Sequence, residues 1–112
     1  ILAASKVECS PITLPDLRTT AKKLNISKLV FFASWCPACK THLEDFRTSG
    51  EYKDIIFIAA FDERSRAEEA INYLKLTNAH CFFDEKKLIS KGLNVEGVPQ
   101  TVILPSTLSQ KQ

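Results

Sequence analysis

Two unbroken apolar runs, Lys28-Leu29-Val30-Phe31-Phe32-Ala33 and Ile55-Ile56-Phe57-Ile58-Ala59-Ala60-Phe61, interrupt a chain whose apolar residues otherwise recur every three or four positions. Short runs rich in aromatic and β-branched residues read as strands covered on both faces, as in a parallel sheet. Helical patterns flank them. Thr13-Leu14-Pro15-Asp16 has the form of a helix start, with Thr13 as N-cap, and Leu17, Ala21 and Leu24 follow at helical spacing. That predicts a helix over roughly 14–24. From Pro37 onward Leu43 and Phe46 share one face, and Gly50 is placed to end that helix in a left-handed conformation. Ser65-Arg66-Ala67-Glu68 reads as a capping box, ahead of an inward stripe of Ala67, Ala70, Ile71 and Leu74.

The last third is less regular. Cys81-Phe82-Phe83 reads as a short extended piece, Glu85 to Lys91 as a short helix stopped by Gly92, and Gln100 to Leu104 as a last strand introduced by Val98-Pro99. Alternation of helix and strand predicts an α/β protein, a sheet with helices on both faces. No repeat, low-complexity segment or linker interrupts residues 1–112, so a single domain is expected.

Composition narrows the function classes. The 112 residues carry 15 basic and 13 acidic side chains, a formal charge of +2, and 45% hydrophobic residues. This is the balance of a globular protein, with no cationic footprint for nucleic acid. Lys22-Lys23 and Lys86-Lys87 read as solvated faces. No apolar run approaches the ~18 residues of a membrane span. The chain begins at Ile1 rather than Met, and the expectation that goes with this is a removed leader, tag or membrane anchor.

The chemistry concentrates in Trp35-Cys36-Pro37-Ala38-Cys39. Cys36 falls where a helix begins, and free backbone N–H groups together with the positive end of the helix dipole favour a thiolate there. Such a setting lowers a cysteine pKa from about 8.5 into the range ~3.5–7.5. Cys39, one turn on, is within reach to close a disulfide or resolve a mixed one. Pro37 fixes φ for the first turn without wasting a donor, and Trp35 flanks the nucleophile with an apolar surface. A metal site would need further ligands, and Cys9, His42, His80 and Cys81 occur singly or, for His80-Cys81, on opposite faces of an extended piece. No metal and no cofactor beyond the redox pair itself are expected.

Phe31-Phe32-Ala33-Ser34-Trp35-Cys36-Pro37-Ala38-Cys39-Lys40, taken with Gly97-Val98-Pro99-Gln100-Thr101-Val102-Ile103-Leu104, resembles the thioredoxin superfamily, and within it the TlpA-like branch of extracytoplasmic thiol reductases. Phe61-Asp62-Glu63-Arg64 and Phe83-Asp84 stand where that branch has acidic turns. The resemblance implies a thioredoxin fold with a central mixed β-sheet. It also implies a cis Val98-Pro99 peptide beside the sulfurs, with Val98 N–H and C=O free to pair with a substrate segment. The implied activity is reduction of protein disulfides in the periplasm or another extracytoplasmic compartment. Cys36 and Cys39 would be catalytic, and Trp35, Pro37, Val98 and Pro99 substrate-binding. The implied partners are cysteine-containing proteins and a redox partner protein. Two other readings stay open: an oxidase or isomerase running the chemistry the other way, and a non-catalytic redox-sensing or binding module.

Several positions depart from the family pattern. Val30 stands where relatives carry an internal acid or amide beneath the pair, and His42 where the branch has a Glu, so both changes remove acidic character. His42 and Ala38 are therefore expected to modulate the pair, shifting it toward a weaker reductant. Pro105 to Gln112 is too short for the strand and helix that usually close the fold, so a trimmed or shortened C-terminal end is expected, leaving an uncovered sheet edge. Cys9 and Cys81 are either a structural disulfide or two separate thiols, and a bond between them would go with an oxidising compartment.

Overall fold

The structure, a computed structural model, describes residues 6–104. Its elements are β1 (Ser10–Pro11), α1 (Leu14–Lys23), β2 (Lys28–Phe32), α2 (Pro37–Ser49), β3 (Ile55–Ala59), α3 (Arg64–Tyr73), β4 (His80–Phe83), a 3₁₀ turn (Glu85–Lys87), α4 (Leu88–Gly92) and β5 (Gln100–Ile103). The strands form one sheet in the order β1-β4-β3-β2-β5. β1, β4, β3 and β2 pair in parallel, and β5 pairs antiparallel to β2. This is the α/β class with the central mixed sheet expected of a thioredoxin fold.

The alternation of side chains along β2 and β3 divides the core into two layers. Val30 and Phe32 join Ile55, Phe57 and Ala59 under α2 and α3, which contribute Leu43 and Ile71. Leu29 and Phe31 join Ile56 and Ile58 under α1 and α4, which contribute Leu17 and Ile89. Helices thus cover both faces. That explains why both strands read as continuous apolar runs: Leu29 to Phe32 and all of β3 are buried. Each fully buried Phe or Ile there is worth roughly 1.5–3 kcal/mol against leaving it exposed.

Local signals hold at most boundaries. Thr13 Oγ1 accepts the Asp16 N–H at 3.2 Å, capping α1. Gly50 ends α2 at φ 71°, a conformation that costs an L side chain energy. Three expectations are corrected. Ser65 does not cap α3: the helix begins at Arg64 with Glu63 in the N-cap position and no side-chain cap. Glu68, free of that duty, turns its carboxylate to the Cys9 N–H at 2.8 Å and to Arg64 at 3.0 Å. The second apolar run stops being strand at Ala59, because Phe61 turns left-handed at φ 57°. Gly92 is the last residue of α4 and not its stop; a side chain there would meet Leu14 at 2.6 Å, so glycine permits the close approach of α4 to α1. The expected loss of a C-terminal strand and helix concerns residues outside those described.

The entry to α4 was not foreseen. Lys86 and Lys87 are both left-handed, at φ 58° and 60°, which costs about 1–2 kcal/mol per residue for non-glycines. Buried Asp84 offsets this. Its carboxylate accepts the Ile89 N–H at 2.7 Å, the Ser90 N–H at 2.9 Å and the Ser90 hydroxyl at 2.6 Å.

Candidate active site

The sequence delivers the two cysteines where β2 ends and α2 begins. Cys36 is the N-cap of α2, extended at φ −97°, with Pro37 opening the helix. Its Sγ accepts the Cys39 N–H at 3.1 Å, so the sulfur does what a Ser or Asp oxygen does in an ordinary cap. The N–H it receives and the N-terminal end of the helix dipole both face that sulfur. Both cysteines are free thiols and both are buried.

Their environments differ. Cys39 is 1% exposed, in the apolar layer that also holds Val30. Burial pushes its thiol up to about 12; the hydrogen bond and the charge of Cys36 add to the rise, and the Ala33 backbone opposes it. Cys39 is thus a protonated thiol at neutral pH. Cys36 lies at the rim: its S–H donates to the Val98 carbonyl at 3.8 Å, and Trp35 and Pro37 on either side of it are exposed. The Val98–Pro99 peptide is cis and leads into β5. Cys36, Trp35, Pro37, Val98 and Pro99 therefore meet at one end of the sheet.

His42 and Ala38 lie on the next face of α2. With Thr41, Asp45, Pro99 and Gln100 they line a hollow of about 310 Å³ beside the cis-proline. The His42 ring packs edge-on against Phe46, with centroids 4.9 Å apart. Cys9 and Cys81 form a disulfide with an S–S distance of 2.09 Å, away from this rim, tying the segment before β1 to β4. Among the described residues no group of three or more His, Cys, Asp or Glu is arranged to hold a metal ion, and no helix is long and apolar enough to cross a membrane.

Sequence reasoning missed the clamp behind the nucleophile. Asp62 accepts the Ser34 N–H at 2.6 Å and the Glu63 N–H at 2.8 Å. The Trp35 indole N–H donates to the Phe61 carbonyl at 2.7 Å. The turn after β3 thereby fixes both residues that precede Cys36. Trp35 stays 61% exposed, because its polar edge is held and its apolar face is left outward. The acidic turn at Phe61-Asp62-Glu63 was visible in the sequence; the partner it holds was not.

The rim of this α/β sheet thus brings together an N-capping cysteine, a buried cysteine one turn behind it, and the Val98 carbonyl bonded to the first. No model of a known protein family matches the chain, and no curated protein does. Among solved structures, a thioredoxin from Wuchereria bancrofti is similar, with 14% sequence identity over 94% of this chain and 81% of that chain and a TM-score of 0.46.

Proposed function

We propose that this protein is a thiol–disulfide oxidoreductase, a TlpA-like reductase of protein disulfides that acts outside the cytoplasm through Cys36 and Cys39. The observation that carries the reading is the asymmetry of the pair: Cys36 Sγ caps α2 with the Cys39 N–H at 3.1 Å, while the Cys39 thiol is pushed up to about 12. One sulfur is prepared to attack and the other to wait.

In the forward direction the Cys36 thiolate attacks one sulfur of a substrate disulfide. A Cys36–substrate disulfide forms and the substrate's other sulfur leaves as thiolate. Cys39 then attacks Cys36 Sγ, closing the Cys36–Cys39 disulfide and expelling the second substrate thiolate. The Cys39 proton passes to a departing thiolate, since Val30 and its apolar neighbours offer no acceptor beneath the pair. Two electrons move from the dithiol to the substrate, and a redox partner protein returns them. Val98, held in its cis peptide, presents backbone groups to the substrate segment, and Trp35 and Pro37 form the apolar contact. The closed Cys9–Cys81 bond supports an oxidising compartment.

Two measurements test this. Cys39→Ser is expected to trap mixed disulfides with a cysteine-containing protein substrate, and Cys36→Ser to trap none; trapping by neither would remove the catalytic reading and leave a binding module. A reduction potential below about −200 mV supports the reductase, whereas a value near −120 mV would make the protein an oxidase.

A further inference from the structure

Between α2 and α3 runs a trough formed by two adjoining hollows of about 630 and 380 Å³ that share Tyr73 and Leu74. The larger begins at Ala33 and Ser34, immediately before the redox motif, and the smaller continues toward the C-terminal end of α2. Leu43, Ala70 and Leu74 supply apolar lining. Tyr73 stands 79% exposed where the hollows join, and large exposed aromatics of this kind are favoured anchors for protein partners.

The charges along the trough are ordered. Lys40 and Arg66 lie at the end near Cys36, Glu69 and Glu44 come next, and Arg47 and Lys75 close the far end. Arg66 has an exposed carboxylate neighbour, Glu63, at 3.5 Å, a surface pair of little energy that leaves the guanidinium available. Positions 40 and 47 are about 10 Å apart along the helix axis, which is about three residues of extended chain.

We infer that this trough is an exosite for an extended acidic segment of the substrate protein, lying beside the cysteine that is exchanged at Cys36. One carboxylate sits at Lys40 and Arg66, an apolar side chain packs on half-buried Ala70 and exposed Tyr73, and a second carboxylate reaches Arg47 and Lys75. Glu69 and Glu44 reject an acid in the middle and so set the register. The inference rests on the thiol-exchange reading and adds what that reading lacks, a reason to prefer one substrate over another.

The test uses synthetic peptides whose single cysteine is activated as a mixed disulfide with thionitrobenzoate. Cys36 thiolate attacks the peptide sulfur, a Cys36–peptide disulfide forms, and thionitrobenzoate leaves as a coloured anion that reports the rate. One peptide carries the acid–apolar–acid flank, a second has lysines in place of the acids, and a third has no flank. At low salt the acidic flank is expected to react about tenfold faster than the lysine flank, and the gap is expected to shrink as salt is added. The pair Arg47→Glu with Lys75→Glu is expected to remove that advantage, Tyr73→Ala is expected to slow the acid–apolar–acid peptide through its lost apolar contact, and both variants, distant from the sulfurs, are expected to leave the unflanked peptide's rate unchanged. Equal rates for acidic and lysine flanks, or an advantage that survives the far-end reversal, would overturn the exosite alone. If the unflanked peptide releases no thionitrobenzoate, the oxidoreductase reading falls and the exosite with it.

Discussion

The four cysteines share one apolar layer, yet they form two pairs of opposite character. Cys36 and Cys39 are three residues apart and open; Cys9 and Cys81 are separated by 72 positions and closed. Burial does not distinguish them, since all four are at most 5% exposed. Backbone does. Cys36 caps a helix, receives an N–H and lies at a rim flanked by exposed Trp35 and Pro37. The Cys9 N–H is instead committed to Glu68, and Cys81 is paired within the sheet beside Phe57. On the proposed reading, thiol exchange belongs to the end of the sheet where α2 begins, and the stapled edge has a mechanical part.

Disabling one pair at a time separates their contributions. Cys36→Ser is expected to reduce thiol exchange to background while the protein still folds, as judged by thermal melting beside exchange assays. Removing the other pair, as Cys9→Ser with Cys81→Ser, is expected to do the reverse. The chain-entropy relation for a loop of this length gives a loss of about 4 kcal/mol in unfolding free energy, with the exchange rate per folded molecule unchanged. Urea titration reads the first quantity and a thiol-exchange assay below the transition reads the second. Loss of exchange in the folded serine pair would show that the staple also holds the site.

The two regions also differ in how far the sequence revealed them. The dithiol end is local: an apolar run, Pro37 at the first helical position and Gly50 at the end all act within a few residues of one another, so β2, α2 and the place of Cys36 at the helix start were legible. The stapled edge is not. β1 is two exposed residues with no hydrophobic signature, and it is a strand only because β4 and a distant cysteine hold it. Glu68 looked like a capping partner for Ser65, but its carboxylate is spent on a backbone N–H 59 positions away. Spacing along a helix cannot register such a partner. The same limit hid the Asp62 contact to Ser34, 28 positions off, and the Asp84 cap, whose only signal was an acid ahead of two lysines forced left-handed without a glycine.

Titration offers a third contrast, confined to the dithiol end. The Cys39 pKa is raised in the folded protein to about 12, against about 8.5 for an unfolded cysteine. Above the lower value the unfolded chain has lost that proton while the folded chain keeps it. Unfolding then releases a proton, and stability falls as pH rises. The contribution is whole below about pH 8.5 and is lost toward pH 12, at about 1.4 kcal/mol per pH unit inside that window. Urea unfolding of the dithiol form from pH 8 to 11 is expected to show this slope. The form with Cys36 and Cys39 oxidised has no such proton and is expected to lack it. Parallel curves for the two forms would mean that the buried thiol is not the titrating group.

The smallest expected effect tests whether the staple acts alone. Asn72 grips Val7 at two points, accepting its N–H at 2.8 Å and donating to its carbonyl at 2.9 Å, and it donates also to the Glu68 carbonyl at 2.7 Å. Those bonds run parallel to the Cys9–Cys81 link, since residues 7 and 9 belong to the same segment. With the disulfide closed, Val7 cannot drift away when its partner is removed, and its polar groups are left short of a partner in a half-buried place. Asn72→Ala is then expected to cost about 1 kcal/mol. With Cys9→Ser and Cys81→Ser in the background the segment is free to leave the surface and hydrate those groups, so the same substitution is expected to cost less. A double-mutant cycle measures the difference directly. Strict additivity would mean that helix α3 and the disulfide hold the N-terminal segment independently, and the stapled edge would then be two devices and not one.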